Sequence, residues 1–309
     1  MIFTVTLNPA LDKEYKVPQI VFDDVMRMAS MRVDFGGKGF NVSRMLKSLG
    51  AKSTALGFVG GHTGDVITTG LESLDIPVDF TLIQGETRTN ISIVDQGEHH
   101  YVKLNESGPA VTEAEINGLL KKIDTLITQG DFWVLSGSLP LGVPDDIYAQ
   151  IIRKVNKANA YVVLDASGLS LQLGIEAKPY LIKPNIHELN ELLGVDIQDA
   201  KALPNYLAEL HGQGVNNILV SLGKEGALLS DSQRCFLGSP PKIFAQNPIG
   251  AGDSMVAGMV WRLAAGDSPQ EALPWSLACG TAAASLPGTG VPSPAQVKEI
   301  YQAIIIEEL

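Results

Sequence analysis

The chain has 309 residues, 45% of them hydrophobic and 18% charged, with 23 basic and 34 acidic side chains and a net charge of −11. That length allows one large α/β domain or two ordinary ones with ample core, and the acidic balance excludes a surface built to hold a nucleic-acid backbone. Cys235 and Cys279 lie far apart without metal-ligand spacing, no basic segment opens the chain, and Arg262 interrupts the best candidate membrane span, so a cytoplasmic protein without disulfides, nucleic acid or membrane as partners is expected.

Apolar runs at 2–7, 54–59, 132–136, 161–165, 180–183 and 217–222 read as strands, several of them apolar on both faces. Helical periodicity recurs at 40–49, 65–74, 113–127, 146–158, 187–193, 201–211, 254–265, 270–285 and 294–306. The alternation predicts a doubly wound, mostly parallel sheet flanked by helices. Two stretches break the rhythm. Residues 12–34 show no clear helix, and 88–104 reads as two short strands about the turn Asp95-Gln96-Gly97. Together they predict a small β appendage. No linker or repeat marks a second domain, so residues 1–309 are expected to form one.

Ligands of open parallel sheets gather at the carboxyl ends of the strands. Polar residues collect at those ends here: Asn8 and Asp12, Ser136 to Ser138, Asp165, Lys183 with Asn185, and Ser221 with Gly223. Gly250, Ala251 and Gly252 precede Asp253 at a predicted helix start. Free amides there form an anion site, small residues let a ligand approach, and Asp253 could take a hydroxyl proton while the amides hold developing charge. A plain first-turn carboxylate fits the same pattern.

Gly36-Gly37-Lys38-Gly39-Phe40-Asn41 precedes a helix and lacks Walker A spacing. It reads as an anion loop with Lys38 as charge and Asn41 as a directional contact, or as a tight turn. Arg88 offers a planar fork to a phosphate, or lies solvated on a strand edge. Asn185 and Glu188 suit Mg²⁺ held through water beside a nucleotide, and equally a capping box. Ser221, Gly223 and Gly226 shape a turn that could lie along a nucleotide. His62, His99, His100, His187 and His211 have no partners at metal or triad spacing.

In order and along almost the whole chain, these segments resemble the ribokinase-like, PfkB-type sugar kinases, and among them the hexose-phosphate branch of 1-phosphofructokinases and tagatose-6-phosphate kinases. The resemblance rests on Gly36 to Gly39 with Asn41, on Ser136-Gly137-Ser138-Leu139-Pro140, and on Lys183-Pro184-Asn185 through Glu188. Ser221 to Gly226 and Gly250-Ala251-Gly252-Asp253 complete it. It implies Mg²⁺ and ATP as cofactors, Asp253 as catalytic base and Gly250, Ala251 and Gly252 as the anion hole. Lys183, Asn185, Glu188, Ser221, Gly223 and Gly226 would hold the nucleotide, with Asn185 and Glu188 reaching the metal through water. Asp12, Gly37, Asn41 and Ser138 would hold the sugar, and Lys38, Arg88 and Arg27 its phosphate. A small β-sheet lid, from parts of 12–34 and 88–104, would pair two subunits as a homodimer.

The implied reaction is phosphorylation of a ketohexose phosphate, with fructose 1-phosphate at its 6-hydroxyl ahead of tagatose 6-phosphate or fructose 6-phosphate at the 1-hydroxyl. A non-catalytic sugar-phosphate sensor would not need Asp253. A ribose or nucleoside kinase would leave Lys38 and Arg88 unpaired. A dinucleotide oxidoreductase would need a G-x-G-x-x-G after the first strand.

Overall fold

The computed structural model describes residues 1–97 and 100–309. Strand β1 (Ile2–Thr6) opens the main sheet, and β2 (Ala10–Val17) and β3 (Ser30–Gly36) leave it for a second one. Helix α1 (Lys38–Ser48), β4 (Thr54–Val59), α2 (Gly61–Ser73) and β5 (Thr81–Leu82) return to the main sheet. β6 (Arg88–Asp95) and β7 (Tyr101–Asn105) then complete the smaller sheet. Alternation resumes with α3 (Glu113–Leu126), β8 (Phe132–Ser136), α4 (Ile147–Lys157), β9 (Tyr161–Asp165), α5 (Gly168–Glu176), β10 (Leu181–Ile182), α6 (Ile186–Leu193), α7 (Leu203–Gly212) and β11 (Asn217–Ser221). The chain closes with β12 (Ala227–Ser230), β13 (Cys235–Ser239), α8 (Ala251–Ala264), α9 (Pro269–Ala284), α10 (Pro294–Tyr301) and β14 (Ile305–Glu308).

The main sheet runs β14-β13-β12-β11-β10-β9-β8-β1-β4-β5, parallel from β11 to β5 and antiparallel across its last three strands. Both faces are covered, which is why the strands read as continuous apolar runs. Successive residues of a strand point to opposite faces. Trp133 and Leu135 of β8 enter a core with α3, α4 and α7, whereas Phe132 and Val134 enter one with α1, α8 and α9. No helix among the described residues is long and apolar enough to cross a membrane.

The smaller sheet has the order β3-β2-β6-β7, with β2 and β6 parallel. Both irregular stretches of the sequence contribute to it. The turn expected at Asp95-Gln96-Gly97 follows β6, and β6 pairs antiparallel with β7 as far as Val94 opposite Tyr101. The helix expected over 294–306 stops at Tyr301. Its last residues instead form β14 against β13, because Ile304-Ile305-Ile306 is β-branched and finds a free sheet edge. Helix α5 and strands β5 and β13 answer to no segment read from the sequence.

Candidate active site

The site lies where β8, β9, β10 and β11 end and α1, α6 and α8 begin. Asp165 closes β9 and is 1% exposed. Its Oδ1 accepts from Lys38 Nζ at 3.0 Å and pairs with Lys183 Nζ at 3.3 Å. Burial pushes the Asp165 carboxyl up, but Lys183 and then Lys38 outweigh it and hold the carboxyl below its ordinary range. Burial likewise opposes the Lys38 charge, and Asp165, with Asp253 behind it, more than restores it. Sequence spacing marks Asp165 only as a polar strand end; in the fold this one carboxylate gathers two lysines.

Pro248 O accepts from the Ala251 amide and Gly250 O from that of Ser254. The amides of Gly252 and Asp253 between them have no acceptor among the described residues. Gly250 has φ of 82°, a left-handed turn that glycine favours. A methyl group at Gly252 would stand 3.3 Å from Lys183 Nζ, so a larger residue would crowd the lysine over the free amides. α8 begins at Ala251, three residues earlier than expected, which places Asp253 in its first turn. Asp253 is buried, and its Oδ2 accepts from Asn41 Nδ2 at 2.8 Å. Burial, with the Asp165 charge second, pushes its carboxyl up to about 6, against the Asn41 donor and the two lysines.

Lys38, Asn41, Lys183 and Gly250 to Asp253 therefore form one cluster. Lys38 is tied to Asp165 and lies within the field of Asp253. Asn185 and Ser221 form a parallel bridge, which sets the turn carrying Gly223 and Gly226 beside the start of α6. Asn185 and Glu188 form a capping box: Asn185 Oδ1 accepts from the Glu188 amide, and Glu188 Oε2 from the Asn185 amide. Glu188 Oε1 and Asn185 Nδ2 lie outside the box. Among the described residues, no group of three or more His, Cys, Asp or Glu converges as a metal centre.

The small sheet brings Gly36, Ala10 and Arg88 into one row across β3, β2 and β6. Arg88 donates from Nε to Pro9 O at 3.4 Å, from Nη1 to Glu106 O at 2.8 Å and from Nη2 to Asn8 O at 3.0 Å. One N–H on each terminal nitrogen is left over. Asp12 Oδ1 accepts from Asn90 Nδ2 at 2.7 Å, and burial raises its carboxyl against that donor. Among the described residues, the buried Oδ1 atoms of Asn8 and Asn90 have no hydrogen-bond partner; the sequence marks Asn8 only as a polar strand end and assigns Asn90 no role. Gly37, with φ of 143°, opens α1. Ser138 is exposed, 3.5 Å from Asn8 Nδ2. Arg27 lies in the exposed connection 18–29. His211 bonds to Val215 O and Ser230 Oγ, and His99 lies outside the described residues.

A model of the pfkB family of carbohydrate kinases matches residues 6–296. The chain is 38% identical over 260 residues to a 1-phosphofructokinase of Bacillus subtilis, covering 84% of each. It superposes on phosphofructokinase-2 of Escherichia coli in complex with potassium with a TM-score of 0.92 at 31% identity, covering 97% of this chain and 98% of the other. The complex of that enzyme with fructose-6-phosphate gives 0.90 at 31%, with the same coverage. A match that runs through both sheets and through the turn at Asp253 leaves one assignment: the chain belongs to the pfkB family of carbohydrate kinases.

Proposed function

We propose that the protein transfers the γ-phosphoryl group of ATP to a ketohexose phosphate, and that its substrate is fructose 1-phosphate, phosphorylated at the 6-hydroxyl. The observation that carries this reading is Asp253: a buried carboxylate with a raised pKa beside two unpaired amides and two lysines. Ionised Asp253 accepts the proton of the sugar hydroxyl as that oxygen bonds to phosphorus, and the bridging oxygen leaves with ADP. The Gly252 and Asp253 amides, with Lys183 and Lys38, meet the charge that spreads over the phosphoryl oxygens. Gly223 has φ of 61° and open space where a side chain would stand, which suits a backbone lying along a nucleotide. Mg²⁺, when bound, would neutralise phosphate charge. Glu188 Oε1 is a hard oxygen donor outside the capping box, and it fits a role for Glu188 and Asn185 in holding that ion through water.

The small sheet acts as the lid in this reading, with Asp12 and Asn90 toward the sugar hydroxyls. The outer strands β3 and β7 expose Met31, Val33, Tyr101 and Leu104, a surface that suits a second copy of the chain. A tetrameric inhibited form is known for the Escherichia coli phosphofructokinase-2.

ADP release with fructose 1-phosphate, tagatose 6-phosphate, fructose 6-phosphate and ribose as parallel acceptors tests the assignment. The highest kcat/KM is expected with fructose 1-phosphate. Preference for either 6-phosphate would move the reaction to the 1-hydroxyl, and activity with ribose alone would refute the phosphate reading.

Arg88→Ala separates two roles. With its spare N–H groups on the substrate phosphate, KM for the phosphorylated sugar should rise at least about tenfold, since charged hydrogen bonds contribute about 1.5–3 kcal/mol. If the thermal midpoint falls while KM holds, Arg88 is a tie between Asn8, Pro9 and Glu106 and nothing more.

A further inference from the structure

Arg44 takes no part in the chemistry described above, yet it stands one step behind it. It lies on α1 three residues after Asn41, half-buried, so both side chains point to one face of the helix. Its Nη1 lies 3.5 Å from Asn41 Oδ1 and 3.3 Å from Thr289 Oγ1. Thr289 belongs to the connection between α9 and α10. A methyl group at Gly250 would touch Thr289 Cγ2 and Asn41 Nδ2 alike, at 3.9 Å. The connection, the anion turn and the Asn41 amide thus pack as one unit.

The chemistry of the contacts gives the amide one orientation. A guanidinium only donates, and an ionised carboxylate only accepts. With Oδ1 toward Arg44 and Nδ2 toward Asp253, both ends of the amide are satisfied. Turned over, it would set donor against donor and oxygen against oxygen. We infer that Arg44 is a positioning residue: it fixes the Asn41 amide with Nδ2 on Asp253 Oδ2, leaving Oδ1 as the oxygen that receives the substrate proton. The inference rests on the kinase reading above, in which Asp253 is the base. It makes Asn41 a ligand of the base as well as of the sugar.

The charged groups around this relay come from four elements. Asp165 at the end of β9, Lys183 after β10 and Lys38 of α1 face Asp253. Asp34 and Arg32 of β3 face Arg44. The Asn41 donor holds the Asp253 carboxyl down, so loosening the amide should move that carboxyl up.

The test is Arg44→Gln and Arg44→Lys, with two independent readouts. In turnover, Arg44→Gln should lower kcat about tenfold and leave the KM for ATP within about twofold, with a smaller rise in the sugar KM because Asn41 also holds the sugar. In the free protein, ¹³C NMR of the Asp253 carboxyl should show its titration moving to higher pH. Arg44→Lys keeps the charge on a shorter side chain whose ammonium falls short of the place where Nη1 meets both Asn41 Oδ1 and Thr289 Oγ1, and should recover only part of each effect. A raised sugar KM at unchanged kcat would make Arg44 a substrate ligand and overturn the inference. So would full recovery by Arg44→Lys, since charge alone would then suffice, and so would an unmoved carboxyl. If Arg44→Gln fails to fold, Thr289→Val removes the other anchor and should move the carboxyl the same way by less; no movement overturns the inference. The carboxyl titration needs no turnover, so it decides this point even if every sugar phosphate proves inert.

Discussion

Asp253→Asn is expected to lower kcat by roughly 10³-fold while ATP still binds, since a positioned general base contributes about 10²–10⁴-fold. The amide keeps the shape and still accepts from Asn41, but it takes no proton. The same change should stabilise the fold at neutral pH. In the native protein the Asp253 carboxyl is raised from its ordinary 3.8 to about 6, first by burial and then by Asp165. The folded state therefore holds a proton more tightly than the unfolded chain between those values, and native stability falls as pH rises through them. An uncharged amide at this position carries no such penalty. The variant should match the wild type below that window and exceed it above about pH 6, by on the order of 1–3 kcal/mol. Thermal melts across the range read this out. A variant that turns over near normally, or melts lower at neutral pH, would contradict the assignment of Asp253 as a strained base.

Asp165→Asn should produce the largest loss of stability among single changes at the site. It keeps an oxygen for hydrogen bonding and removes the charge between Lys183, 5% exposed at its side chain, and Lys38, 37% exposed. Breaking a buried ion pair from one side costs about 3–5 kcal/mol, because the surviving charge stays desolvated. Lys183→Met added to Asp165→Asn should recover part of that loss, and the double-mutant cycle measures the coupling. The chemistry should suffer too. Two lysines without their anchor misplace the charge over the free amides, and displacements of about 1 Å have cost about 10²-fold in other enzymes. The pH profile gives a separate signature. The Asp165 charge helps raise Asp253, so its removal should let the acid limb of the rate move to lower pH. An acid limb that moved upward would mean that Asp165 and Asp253 do not face one another as described.

The architecture was legible because burial on both faces leaves an unmistakable mark. β4, β8 and β9 are apolar runs bounded by polar residues, and they begin and end in the structure where the sequence placed them. Helix α5 was not legible. Its two glycines and weak apolar face give little period-3.6 signal, and neighbours from β9 and α4 supply the packing that holds it. At the C-terminus, periodicity carried α10 into β14, because a short β-branched run reads either way until a partner edge is known.

At the site, the turn before Asp253 and the loop before Asn41 could be read because glycine spacing is local. What joins them could not be. Lys38 and Asp165 are 127 positions apart, and no pattern along a chain says that they meet. For Asn185 and Glu188 both readings of one spacing remain useful: the structure forms the capping box, and the box leaves one glutamate oxygen outside it.

The way the main sheet ends bears on how copies of the chain meet. β14 covers β13 and becomes the outermost strand, and it carries Glu307, paired with Lys201, and Glu308. An open ladder edge invites another strand, and charges along it discourage that docking. Two such edges approaching each other would bring carboxylates together, so growth of the sheet from molecule to molecule is opposed at this rim. The pairing proposed above, through the exposed Met31, Val33, Tyr101 and Leu104 of β3 and β7, would then meet no competing strand addition at this rim.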